Sequence, residues 1–239
     1  RTDVGVNHEY GALLVRAGFA DSAEAVFREM LGEDPGRAAR GFRSLGLLAL
    51  WQARTQDAVT AFARGVRAHR DAHESSGEAR SRLLLAAALD DVGDTAAVRA
   101  ELDTVHMLSR SGVAEPTMLY WAGKAMARHN MTGAAREMLD TLRRRAVAGN
   151  PRHESAALLL QGEIDVASNR ARDALVRLDR GVLPDSSVIS RDSLAHALRA
   201  AGYAARADSL DRVIAATPRF GWEGTLVQPA AGRRISNKR

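Results

Sequence analysis

Two histidines four residues apart, His69 and His73, with Glu74 beside them, come nearest in this sequence to a metal-binding pattern. On one helical face their imidazoles could meet a single ion. The acid is misplaced for metal-assisted hydrolysis, since His-Glu-x-x-His does not occur in the sequence, and a solvated polar helix end accounts for the trio equally well. No metal is therefore expected. Asp90, Asp91 and Asp94 could share acid and base roles, but they flank a Gly-Asp-Thr turn, where capping and solvation call for the same residues. The sequence has no Gly-x-Ser-x-Gly, no glycine-rich loop ending in Lys-Ser/Thr and no Gly-x-Gly-x-x-Gly. Its lack of cysteine removes disulfides, thiolate zinc, iron–sulfur clusters and cysteine nucleophiles. The expectation is a chain with no catalytic residues and no cofactor.

Charge is distributed unevenly. Lys and Arg number 34 against 29 acids, a net of +5, but Arg233, Arg234, Lys238 and Arg239 all follow the last acid, Glu223. The body is nearly neutral, so a basic face for nucleic acid is not required. The basic end, residues 232–239, reads as an extended arm that docks on an acidic partner or an anionic surface, with Arg233 and Arg234 as contacts. Phe220 and Trp222, just before it, are expected to cover the exposed apolar face of the last structural element. The longest apolar run, Leu83 to Leu89, is far short of the roughly 20 residues that span a bilayer, so a soluble chain is expected. The chain opens on Arg1, which suggests processing or a longer parent and leaves cytoplasm and periplasm both open.

What must position these residues is a repeat. A small residue, another small residue twelve positions later and a large apolar residue four beyond that recur as Gly11/Ala23/Phe27, Gly46/Ala58/Phe62, Gly123/Ala135/Leu139 and Gly162/Ala174/Leu178. A degenerate copy lies at Ala86/Val98/Leu102, and a sixth, from Ala195 to Leu210, needs a one-residue adjustment in its turn. Successive copies start 35, 40, 37 and 39 residues apart. Such a period suits antiparallel helix pairs: the small residues let the two helices approach, and Phe or Leu fills the gap to the next pair. Each pair leaves a bare face, so the pairs must stack. Gly18, Gly93, Asn130, Asn169 and Gly202 supply left-handed turn residues between paired helices. Pro35, Pro116, Pro151, Pro184 and Pro218 mark the boundaries between pairs. About twelve helices and no sheet are expected. In that register Asp165 faces inward, the one acid whose burial would run against the ordinary cost of sequestering a carboxylate.

The segment from Tyr10-Gly11-Ala12-Leu13-Leu14 through Gly18, Ala23, Phe27 and Pro35 resembles a tetratricopeptide repeat, and Phe42, Leu45-Gly46, Ala58 and Phe62 resemble a second copy. The resemblance runs from about residue 7 to 218, preceded by a leader of residues 1–6 and followed by a capping segment and basic tail at 219–239. It implies an all-α solenoid, a right-handed superhelix of about six repeats. The third copy lacks the first-helix glycine and the periods exceed the usual 34 residues, which predicts irregular geometry around residues 70 to 115.

The resemblance also implies that the first helix of each pair lines a peptide-holding groove. Its groove positions fall on His8 and Arg16, then Arg40, Arg43 and Trp51, then Arg80, Asp90 and Asp91, then Tyr120, Lys124 and Arg128, then Glu163. Arginine forks and aromatic faces suit an acidic or extended peptide. The family's clamp for chaperone tails needs Asn beside its cations, whereas the matching positions here hold Ala12 and Leu47. Related hairpin arrays read RNA through fixed polar positions, but here those sites vary without pattern. The expected role is a non-catalytic protein-interaction scaffold or an accessory subunit of a larger complex. The alternative is a regulatory or sensor module cut from a multidomain bacterial signalling kinase or transcription regulator.

Overall fold

The computed structural model describes residues 4–32, 34–110, 114–147, 149–182, 188–216 and 220–221. Twelve helices follow one another: α1 (Val4–Arg16), α2 (Ala20–Arg28), α3 (Pro35–Trp51), α4 (Thr55–Asp71), α5 (Ser75–Val92), α6 (Thr95–Arg110), α7 (Pro116–Arg128), α8 (Thr132–Arg145), α9 (Pro151–Ala167), α10 (Ala171–Val182), α11 (Val188–Ala200) and α12 (Ala204–Ala215). No strand occurs among the described residues. The fold is all-α, built of packed antiparallel pairs such as α1/α2, α3/α4, α7/α8, α9/α10 and α11/α12. No described helix is long and apolar enough to cross a membrane.

The described residues form two compact units, 4–108 with 220–221 and 109–216. The division falls in the last turns of α6, inside the stretch where the repeat departs most from its regular pattern. In the first unit α1 lies against α3 and α3 against α5; in the second α7 lies against α9 and α9 against α11. First helices thus stand side by side within each unit. The first unit's core is aliphatic with a few aromatic rings, centred on Phe27, Met30, Leu47, Leu48, Phe62 and Leu84.

Turn chemistry explains where helices stop. Gly18, Gly93 and Gly202 adopt φ of 87°, 82° and 87°, and Asn130 and Asn169 adopt 60°, the left-handed conformation that ends a helix. Ala53 and His73 do the same, at 57° and 54°. The second of these corrects the metal pattern. Helix α4 ends at Asp71, so His73 lies in the following turn and the two imidazoles do not share a helical face. Among the described residues no group of three His, Cys, Asp or Glu side chains is placed to hold a metal ion. Asp94 does cap α6, accepting from the Ala97 amide at 3.0 Å. Pro35, Pro116 and Pro151 open α3, α7 and α9, where a missing amide hydrogen costs nothing, and Asp34 and Asn150 cap two of those helices. Pro184 and Pro218 lie outside the described residues.

The small residues have a more direct task than spacing alone suggests. The Phe27 ring lies on Gly11 and the Phe62 ring on Gly46, so closely that a Cβ would overlap them, and Leu178 would come within 2.7 Å of a Cβ at Gly162. In these three pairs the large residue covers the glycine of its own pair. Gly123 differs: a Cβ there would meet Leu160, of the following pair, at 2.8 Å and Met138 at 3.1 Å, while Leu139 is buried as well. Ala23, Ala58, Ala135 and Ala174 are fully buried, as are Val98 and Leu102 to within 1%. Ala86, which stands where the third pair lacks its glycine, is 3% exposed. Because Phe62 is fully buried and cannot retreat, Gly46→Val is expected to cost about 1–3 kcal/mol through overpacking. Gly133→Ala, at a helical position with nothing within 4 Å, is the matched control. Urea unfolding of the two variants compares them, and equal midpoints would remove the close-approach account.

Candidate functional site

The first unit presents a cationic wall. Arg16 is exposed on α1, Arg40 is exposed and Arg43 half-buried one turn apart on α3, and Arg80 is half-buried on α5. Burial, then the charges of Arg80 and Arg40, hold the Arg43 guanidinium down to about 10. Glu74 pulls it the other way, but that carboxylate is engaged by His69, Nδ1 to Oε2 at 3.1 Å. Among the described residues neither Arg40 nor Arg43 has a carboxylate within ion-pairing distance of its guanidinium.

His8 on α1 closes one side of this wall. Ser44 donates its single proton to the Arg40 carbonyl at 2.9 Å, so the 2.8 Å contact from His8 Nδ1 to Ser44 Oγ must carry a proton on the ring nitrogen. The ring also stacks on Phe27 at 6.1 Å. Burial and then Arg43 lower the His8 proton affinity below its ordinary value. His69 is buried and shifted the same way by burial and then Arg43. Asp90 and Asp91, at the end of α5, are exposed and half-buried.

Several cations elsewhere in the same unit are paired with carboxylates. Arg28 meets Glu24 at 2.6 Å and Arg54 meets Asp57 at 2.9 Å, on the rim of a recess of about 600 Å³ floored by Leu31, Phe42, Leu45 and Ala49. Arg82, buried between α5 and α6, joins Glu78 at 2.8 Å to Glu101 at 2.6 Å.

Trp51 and Phe220 depart from expectation. Phe220 is buried in the first unit's core, stacked on Phe27 at 6.1 Å and meeting Trp51 edge-on at 6.0 Å. The aromatic surface that receives it is supplied by α2 and α3 of its own unit, where the sequence reading names the last helix pair. One side of Trp51 is thereby occupied, and the indole is 40% exposed. Trp222, Arg233 and Arg234 lie outside the described residues.

The second unit's wall is of another kind. Tyr120, Lys124 and Arg128 stand one turn apart on α7, as the repeat register requires, but they point into a buried network. Lys124 Nζ lies 2.7 Å from Asp192 Oδ2 and 4.7 Å over the Trp121 ring. Arg128 forks onto Glu163 at 2.7 and 3.1 Å and reaches Asp192 at 2.7 Å. Glu163 also accepts from Ser193 Oγ and His196 Nδ1, each at 2.7 Å. Since Ser193 spends its proton there, the Tyr120 hydroxyl donates to Ser193 Oγ across 3.4 Å.

The electrostatics follow from burial. Desolvation alone would raise the Glu163 proton affinity, but Arg128, His196 and Lys124 together hold it well below the usual carboxylate range. At Lys124 desolvation outweighs Asp192 and lowers the ammonium's proton affinity. Burial and then Glu163 push the Tyr120 phenol far up. The sequence register treats Tyr120, Lys124, Arg128 and Glu163 as ligand-facing; the structure turns them inward because Asp192, Ser193 and His196 of α11 supply their partners. Those three residues escape the sequence reading, since the sixth copy has no clean register, although the 192/196 spacing matches 120/124/128. Asp165 is buried as its register implies, compensated by Arg170 at 2.6 Å and Arg177 at 2.9 Å.

In fold the chain is similar to a tetratricopeptide repeat protein from Parabacteroides merdae, 14% identical, with a TM-score of 0.52 over 98% of this chain and 90% of that one. It is also similar to an assembly chaperone of RpL4, 16% identical, with a TM-score of 0.41 over 99% of this chain and 98% of that one. No family model and no curated protein matches the sequence.

Proposed function

We propose that this tetratricopeptide-repeat fold serves as a non-catalytic protein-interaction scaffold or accessory subunit, holding a partner polypeptide along the first-helix wall of its first unit. One observation carries the reading. In the first unit Arg28, Arg54, Arg70 and Arg82 are matched by carboxylates, whereas Arg40 and Arg43 stand one turn apart, with Arg80 also acting on Arg43, and have no ion pair among the described residues. A fold saves the cost of crowding like charges unless something external compensates them. Arg16 and the exposed part of Trp51 extend the surface with a third guanidinium and an aromatic face. The basic segment 232–239, with Arg233 and Arg234, adds a second attachment of the same sign. Work is done by equilibrium binding, with no bond made or broken.

A photoreactive side chain at position 16, compared with one at position 28 on α2, tests this in extracts at moderate salt. Polypeptide adducts from position 16 that do not form from position 28 are expected. Adducts from neither position, or equally from both, would remove the wall as the binding surface.

A further inference from the structure

We propose that Arg40 and Arg43 seat two neighbouring acidic side chains in the interior of a partner polypeptide, independently of that polypeptide's chain end. The inference rests on the binding role above and adds the chemistry of what is bound. Residues three apart on a helix share a face, so the two guanidinia of α3 present a pair of forks at side-chain spacing. Each fork fits one carboxylate bidentately. Neither has an ion pair or side-chain hydrogen bond of its own among the described residues.

The surroundings favour two charges over one. Arg80 adds a further positive charge near Arg43, and the carboxylate that acts on Arg43, Glu74, is already held by His69. Burial, then Arg80 and Arg40, keep Arg43 at about 10, a measure of how unwelcome a lone cation is there and of what an arriving anion relieves. The floor is rigid: His8 is locked through Ser44 to the Arg40 carbonyl and stacked on Phe27. A chain terminus would find little more. Leu47, one turn beyond Arg43, and Ala12, at the same register of α1, are buried and apolar and offer no amide donors to a terminal carboxylate.

The whole chain is titrated, by fluorescence anisotropy at low salt, with four labelled peptides identical except at the recognition group. They carry an internal Glu-Glu with amidated end, Gln-Gln with amidated end, Gln-Gln with free carboxylate, and a single internal phosphoserine with amidated end. The Glu-Glu peptide is expected to bind at least about tenfold more tightly than either Gln-Gln peptide, and R43Q to remove that advantage. The melting temperature of R43Q should hold or rise, because a like-charge contact is relieved, so weakened binding is not misfolding; R28Q should leave binding unchanged. Preference for the free carboxylate, for phosphoserine over Glu-Glu, or retention of the Glu-Glu advantage in R43Q overturns the proposal. If none of the peptides binds while position 16 still yields polypeptide adducts, the acidic seat falls and the scaffold reading stands. If the adducts fail as well, both fall.

Discussion

Lys124→Met is expected to lower the unfolding free energy of the second unit by about 3–5 kcal/mol, the cost of leaving two buried carboxylates to share one counter-ion. The ammonium is 3% exposed and sits 2.7 Å from a fully buried Asp192. With Lys124 present, two cations, Lys124 and Arg128, balance two carboxylates, Glu163 and Asp192. Remove the ammonium and Arg128 alone must serve both acids in a place water does not reach. The lowered proton affinity of Lys124 shows that desolvation already outweighs the attraction to Asp192, so the pair is there for fit more than for net stabilisation. Lys124→Met combined with Asp192→Leu restores the balance with apolar atoms, and the double variant should recover most or all of the loss. Denaturant unfolding, with hydrogen exchange of the α7, α9 and α11 amides to locate the effect, measures both. A single variant within about 1 kcal/mol of the parent, or a double variant no better than the single, would show that these charges are not coupled as the distances indicate.

How far the sequence discloses this molecule depends on whether a feature is local. The Gly/Ala/large-residue register and the Gly and Asn turn positions are set by contacts inside one helix pair, and each leaves a mark at fixed spacing. Ala53 leaves none, because alanine does not favour a left-handed conformation, and His73 leaves only histidine's weak preference for it. The burial of Asp165 is legible while its compensation is not, since Arg170 and Arg177 reach back from the turn and from α10. The network around Glu163 draws on three pairs, and its α11 members lie in the copy whose register is shifted. Phe220 is further from inference still: it is buried against residues nearly two hundred positions earlier in the chain. The same limit divides the expected groove. Arg40 and Arg43 are where the register puts them with their charges open, whereas Lys124 and Arg128 obey the same register and are consumed by acids that spacing alone does not reveal.

Glu163→Gln is the second large effect expected, and it carries a pH dependence that a packing defect would not. Three groups converge on this carboxylate: the Arg128 fork, the Ser193 hydroxyl and His196. An amide can satisfy them only in part and leaves Arg128 under-compensated, so a loss of about 3–5 kcal/mol is expected near neutral pH. The folded carboxylate holds its proton far less readily than the unfolded one, because Arg128, His196 and Lys124 overcome the burial that would have raised it. As pH falls through the ordinary carboxylate range, about 4–5, the unfolded chain takes up a proton that the folded chain refuses, and stability drops. The contribution is therefore complete above that range and shrinks below it. Glu163→Gln has no such proton to take up. Urea unfolding at a series of pH values between about 3 and 7 should show the parent curve descending more steeply than the variant's, with the gap between them closing on the acid side. Parallel curves would mean that Glu163 is not held ionised by its neighbours, and the network would then have to be redrawn with a proton on that carboxyl.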